Sequence, residues 1–113
     1  MSNETVAVGQ NATLQCVVKH LQDYKVAFFN KDHQSILTIN NLVITQNYRF
    51  SITHDKHFTW SLKIQNVQKE DKGFYMCQVN TDPMVSKVGY LDVVGTYICY
   101  TYRYFIKKRT LAQ

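Results

Sequence analysis

Three cysteines, four histidines and two Asn-x-Thr tripeptides are the positions in this 113-residue chain best suited to chemistry. The histidines, His20, His33, His54 and His57, do not fall at zinc-binding spacings and lie at loops and strand ends, so no metal site is expected. Asp, His and Ser occur without a nucleophile elbow, and no glycine-rich phosphate loop is present. The chain therefore does not read as an enzyme, and neither a cofactor nor a small-molecule substrate is expected. Oxidation and modification remain. Cys16 and Cys77 lie in apolar, strand-like segments, whereas Cys99 lies near the C-terminus, which makes one pair and one thiol left over. Asn3-Glu4-Thr5 and Asn11-Ala12-Thr13 are acceptor sequons for N-glycans, and alongside a disulfide they fit an extracellular setting.

Strands must hold these positions, because the hydrophobic period is two throughout. Residues 4–8 read as a short edge strand, and Ala12 to Lys19 place Ala12, Leu14, Cys16 and Val18 on one face. Tyr24 to Phe29, Ser35 to Ile39, Leu42 to Thr45, Arg49 to Thr53, Phe58 to Gln65, Gly73 to Asn80 and Val85 to Val94 complete nine strands. Tyr24, Val26 and Phe28 share one side of the third strand, and Phe58, Trp60, Leu62 and Ile64 form one set on the seventh. Asn40-Asn41 is a tight-turn pair, Thr81-Asp82-Pro83 joins the last two strands, and Gln68 to Lys72 suits a single 3₁₀ turn.

Asp71-Lys72-Gly73-Phe74-Tyr75-Met76-Cys77 carries the fold. A Tyr two residues before a Cys, led in by Asp and Gly, is the tyrosine corner of an immunoglobulin sandwich. The expected architecture is all-β, a variable-type (I/V-like) two-sheet Greek-key sandwich over residues 3–94. Cys16 and Cys77, each on an inward face, would form its one inter-sheet disulfide. Twelve residues after Cys16, where such domains carry a core Trp, stands Phe28, which fills much of that volume without an N–H to satisfy. Phe28, Trp60 and Tyr75 are expected as structural residues, with Arg49 and Asp71 as an ion pair across one end.

The formal charge of +5 suggests nucleic acid until it is mapped. Arg103, Lys107, Lys108 and Arg109 lie after residue 95 with no acid among them, and without them nine basic residues face eight acidic ones. The body has no electropositive footprint, so no nucleic-acid partner is expected.

Tyr24-Lys25-Val26-Ala27-Phe28-Phe29, Ile36-Leu37-Thr38-Ile39, Val43-Ile44-Thr45-Gln46-Asn47, Thr59-Trp60 and above all the run from Tyr75 to Met84 carry a family resemblance. They resemble the first immunoglobulin domain of the insect Dpr-interacting proteins and lachesins, relatives of the vertebrate IgLON proteins. The resemblance implies a neuronal cell-surface recognition protein, usually with three such domains and a membrane or lipid anchor. It implies pairing with a Dpr-type immunoglobulin domain, or with a second copy, through the sheet of strands C, C′, C″, F and G, in neuronal contact and synaptic partner choice.

Alternation supports that surface. With Val26 and Phe28 inward, Ala27 and Phe29 point out; with Tyr75, Cys77 and Val79 inward, Phe74, Met76, Gln78 and Asn80 point out. Ile36, Leu37, Ile39, Leu42 and Ile44 are more apolar residues than one core face can take. The expected partner-binding set is Ala27, Phe29, Lys31, Ile36, Ile39, Leu42, Ile44, Met76, Gln78 and Asn80, with Gln34, Gln46 and Asn47 on the rim. The alternative is a secreted immune-type module that recognises ligand through loops at 20–24, 40–42 and 80–86.

Two features fall outside the family pattern. No charged-then-apolar leader precedes Val6, so the start is expected to be trimmed, replaced or incompletely recorded. Residues 95–113 hold four of the eight tyrosines and are too short and too interrupted by Arg103 to span a bilayer. They read as a non-family tail, either disordered or translated past an exon boundary at Gly95-Thr96.

Overall fold

The computed structural model describes residues 1–95 apart from His20, Gln22, Lys56 and His57. The expectations placed on His20, His57, Cys99 and the tail from Thr96 onward lie outside the described residues. The strands are β1 (Glu4–Ala7), β2 (Ala12–Val17), β3 (Val26–Asn30), β4 (Ser35–Ile39), β5 (Leu42–Val43), β6 (Phe50–His54), β7 (Thr59–Ile64), β8 (Gly73–Val79) and β9 (Val85–Val94), with a 3₁₀ turn at Lys69–Asp71. They form a six-stranded sheet, β1-β9-β8-β3-β4-β5, facing a three-stranded sheet, β2-β7-β6. β1 joins β9 in parallel and the other pairs are antiparallel. This is the variable-type arrangement, with two short strands added beyond the third.

The alternation of apolar and polar residues explains why these segments are strands. In β2, Ala12, Leu14 and Cys16 are buried while Thr13, Gln15 and Val17 face water. In β8, Gly73, Tyr75, Cys77 and Val79 are buried while Phe74, Met76 and Gln78 face the other way. The two inward faces meet at the Cys16–Cys77 disulfide, which closes a 61-residue separation and staples one sheet to the other. Chain-entropy arguments put such a closure at about 4 kcal/mol. Phe28 is fully buried in the same core as Trp60, Leu62, Ile64 and Leu91.

Three local expectations are corrected. Phe58 does not join the inward set of β7, because it adopts φ +69° in the turn before the strand and leaves its ring about half exposed. Tyr24 precedes β3 and is exposed; its N–H closes a loop onto the Leu21 carbonyl at 3.0 Å instead of entering a ladder. β5 has two residues rather than four, since the Ile44 and Thr45 N–H groups both turn onto the Leu37 carbonyl, at 2.9 and 3.1 Å.

The end of the sandwich at the 3₁₀ turn is tied by Asp71. Its carboxylate accepts both Arg49 guanidinium nitrogens, at 2.6 and 2.9 Å, and the Gln68 N–H at 2.7 Å. Its carbonyl accepts the Tyr75 hydroxyl at 2.6 Å, completing the tyrosine corner. Burial pushes the Tyr75 phenol well above its ordinary value, the Asp71 charge adds to that, and Arg49 opposes it. An unfolded chain releases this proton near pH ~10, whereas the folded chain holds it. The linked stability is therefore complete below that pH and is lost as pH rises toward the folded value. The thermal midpoint should fall more steeply above pH ~10 in the native chain than in Tyr75→Phe, measured by circular dichroism across an alkaline series.

Candidate functional site

The outer face of the six-stranded sheet collects the apolar residues that the core does not use. Strand register sets them in rows. Leu42, Ile39, Ala27, Gln78 and Ser86 lie opposite one another across β5, β4, β3, β8 and β9. Beside them run Ile36, Phe29, Met76 and Val88, and then Phe74 with Tyr90, whose rings meet edge to face at 4.7 Å.

A shift of register makes this possible. Strict alternation along β4 would turn Ile39 outward and Ile36 inward. Instead Phe28 pairs with Thr38 while Phe29 pairs with Ile36, leaving Leu37 with no residue opposite. This bulge-like shift sends Leu37 and Thr38 into the core together and brings Ile36 out beside Phe29. The resulting face is half-exposed to exposed at Ala27, Phe29, Ile36, Ile39, Leu42, Met76, Gln78 and Val88, with Leu42 63% accessible.

The centre is concave. A depression of about 260 Å³ is lined by Lys25, Ala27, Phe29, Ile39, Gln78, Asn80 and Met84, with the Gln78 amide nitrogen donating to the Met84 sulfur. Turn side chains hold its upper margin: the Asn40 Oδ1 accepts the Val26 N–H at 3.0 Å, and the Asn80 Oδ1 accepts the Lys25 N–H at 2.7 Å. Asn40 takes the positive φ of +50° that the β4–β5 turn requires. At the opposite margin, the Asp32 carboxylate accepts the Phe74 N–H at 3.1 Å and lies over Gly73. A Cβ on Gly73, whose φ is +145°, would fall 2.0 Å from an Asp32 oxygen. Glycine at 73 thus lets the β3–β4 turn close down on the start of β8 and fixes where Lys31 stands.

The expected residues do not all have one role. Ala27, Phe29, Ile36, Ile39, Leu42, Met76 and Gln78 share the face, and exposed Lys31 stands at its margin in the turn after β3. Ile44 is exposed but lies past the end of β5, where its backbone bonds back to Leu37. Asn80 is exposed, yet its side-chain oxygen is engaged by Lys25. Asn47 belongs to the Arg49 end, where its Oδ1 accepts the Arg49 N–H at 3.1 Å. Val88 and Tyr90 were not anticipated; their alternation with buried Gly89 and Leu91 along β9 was the available signal. Of the histidines weighed as ligands, His54 stacks on Trp60 at 3.9 Å, and no group of His, Cys, Asp and Glu suited to a metal occurs among the described residues.

The chain is similar to several known proteins. A sequence model of the immunoglobulin domain matches residues 2–89. Lachesin of Schistocerca americana is 34% identical over 79 residues, and human cell adhesion molecule 3 is 29% identical over 94. These matches cover 64% and 83% of this chain but only 22% and 23% of those relatives, so the chain spans less than a quarter of their length. Among solved structures, a chain from the crystal structure of Dpr1 IG1 bound to DIP-eta IG1 is 54% identical with a TM-score of 0.80, covering 81% of this chain and 88% of that one. A chain from the Dpr2 Ig1-Ig2 complex with DIP-Theta Ig1-Ig3 is 60% identical with a TM-score of 0.79, covering 81% of this chain and 31% of that one. The RIG-5 IG1 homodimer is 33% identical with a TM-score of 0.78, covering 84% of this chain and 92% of that one.

Proposed function

The chain belongs to the immunoglobulin-domain family, and from that premise we propose that it is a cell-surface recognition domain that pairs with another immunoglobulin domain through the outer face of its six-stranded sheet. The carrying observation is the apolar rows Leu42–Ile39–Ala27 and Ile36–Phe29–Met76–Val88, exposed on a single sheet face. Exposed aliphatic and aromatic side chains with a polar margin at Lys31 and Gln34 are the composition of a protein–protein interface. Solved relatives with this fold were crystallised as IG1–IG1 complexes or as an IG1 homodimer, which supports a partner of the same kind, either a Dpr-type domain or a second copy. The inter-sheet disulfide supports an extracellular setting at the cell surface, and the neuronal role rests on the likeness to the DIP and lachesin group.

The test is a surface plasmon resonance panel of Dpr-type first domains with the chain itself included, run beside analytical ultracentrifugation. Saturable binding to at least one domain or reversible self-association supports the proposal. Binding that is lost only on changes in the loops at 20–24, 40–41 and 81–83, and survives changes on the sheet, refutes it.

A further inference from the structure

The two sequons occupy one side of the sandwich. β1 and β2 are edge strands of their respective sheets and lie beside each other, while β5 and β6 form the opposite side. Asn3 immediately precedes β1 and Asn11 immediately precedes β2. Because β1 and β2 run in succession around the turn at Gly9, the two asparagines stand at opposite ends of this short unit, roughly 13 Å apart for four strand residues. No sequon lies on the β5–β6 side or on the outer face of the larger sheet.

Both asparagines are exposed and both are held by the same atom. The Asn3 Oδ1 accepts the Tyr90 N–H across the β1–β9 junction at 3.1 Å, and the Asn11 Oδ1 accepts the Asn66 N–H at 3.1 Å. Each donor is a backbone N–H, so the bonded atom must be the amide oxygen, and the Nδ2 is the atom left for other chemistry. A glycan attached at Nδ2 keeps the carbonyl oxygen and one N–H. The structural hydrogen bond therefore survives the modification at both positions. Thr5 and Thr13, the third residues of the sequons, are exposed and outward on their strands.

We propose that Asn3 and Asn11 are both glycosylated, and that the paired glycans cover the β1–β2 side while leaving the outer face of the larger sheet open to association. In the modification, the Asn Nδ2 attacks the anomeric carbon of a lipid-pyrophosphate-linked oligosaccharide. The N–C bond forms, the anomeric C–O bond breaks with its electron pair leaving on the pyrophosphate, and one Nδ2 proton passes to the transferase base. The consequence for the fold is protection of exposed strand edges. The edge backbone of β1 and β2 is a template for edge-to-edge pairing, and bulky solvated sugars at the start of each strand block it. Asn3 also lies next to Tyr90, so its glycan bounds the recognition face at the Tyr90 end of β9 and directs a partner toward the rows that end at Ser86 and Val88. This last consequence rests on the proposed pairing face; the occupancy of the two asparagines does not.

The test uses the full chain secreted from insect cells behind a cleavable leader, with Thr5→Ala, Thr13→Ala and the double variant, which remove the sequons while leaving both asparagine hydrogen bonds. Intact-mass spectrometry should show two glycan increments on the native chain, one on each single variant and none on the double variant. A folded, secreted native chain unmodified at either asparagine overturns the proposal. Pairing affinity of the double variant should stay within about threefold of the native chain. A new sequon on the outer face, made by Gln78→Asn with Asn80→Thr, should abolish pairing once its glycan is confirmed by mass. If the native glycans weaken pairing tenfold or more, the assignment of the open face is wrong. If no variant or native form pairs at all, the proposed function fails while the mass result still stands on its own.

Discussion

Ile39→Asp is expected to lower the affinity for the paired immunoglobulin domain by about 100-fold or more, equivalent to ~2.7 kcal/mol. Ile39 sits between Leu42 on β5 and Ala27 on β3 in the longest row of the face. In the free chain it is only half-buried, so a carboxylate there keeps much of its water and the fold should tolerate it. In a complex the same carboxylate would be enclosed among apolar side chains without a cationic partner, and that desolvation is what breaks the association. Surface plasmon resonance reads the loss. An unchanged near-ultraviolet circular dichroism spectrum and a nearly unchanged thermal midpoint show that folding is not the cause. Lys63→Asp, an exposed position on the opposite sheet, is the control and should leave affinity within about twofold. Equal losses from both substitutions would mean that charge alone, rather than this face, governs binding.

Asp71→Asn should cost about 3–5 kcal/mol of folding stability, a large share of the ~5–15 kcal/mol available to a small domain. Asp71 is 6% exposed and, among the described residues, its carboxylate is the one that bridges Arg49, whose side chain is 11% exposed. The neutral amide leaves a partly buried guanidinium with the Gln65 and Asn66 carbonyls, at 3.4 and 3.2 Å. It also replaces one of the two oxygens that accept Arg49 and the Gln68 N–H with a donor. Urea denaturation measures the cost. The double variant Arg49→Met/Asp71→Leu should recover more than half of it, because apolar residues of similar volume leave no unpaired charge. Failure to recover would place the damage in the 3₁₀ turn and the tyrosine corner rather than in the ion pair.

How much of this was legible in the sequence depended on how many neighbours each residue had to satisfy. Around Cys77 the alternation is strict and both faces of β8 are committed, so the inward Tyr75 and Cys77 and the outward Met76 and Gln78 could be assigned from period two alone. Arg49 and Asp71 were also readable, since a cation before one strand and an acid before the tyrosine corner meet wherever the two ends coincide. Phe58 and Tyr24 were misplaced because apolar rings at strand margins look like strand residues until a turn conformation removes them. β5 was drawn too long because nothing local shows that two N–H groups will share one carbonyl. Asn80 and Asn47 looked like rim residues; only the folded backbone shows that their side-chain oxygens are already taken. Val88 and Tyr90 were legible in principle, since they lie outward beside buried Gly89 and Leu91 on β9.

The register shift at Leu37 has a consequence for how such domains diversify. Core and surface along β4 are counted in different phases: Thr38 and Leu37 set the interior, and Ile36 and Ser35 follow one step out of time. Deleting Leu37 would restore a regular ladder with Ile36 still opposite Phe29, but it would also remove the carbonyl that takes the Ile44 and Thr45 N–H groups and ends β5. A duplicate that gains or loses one residue here therefore alters the interior and the β5 margin of the outer face together.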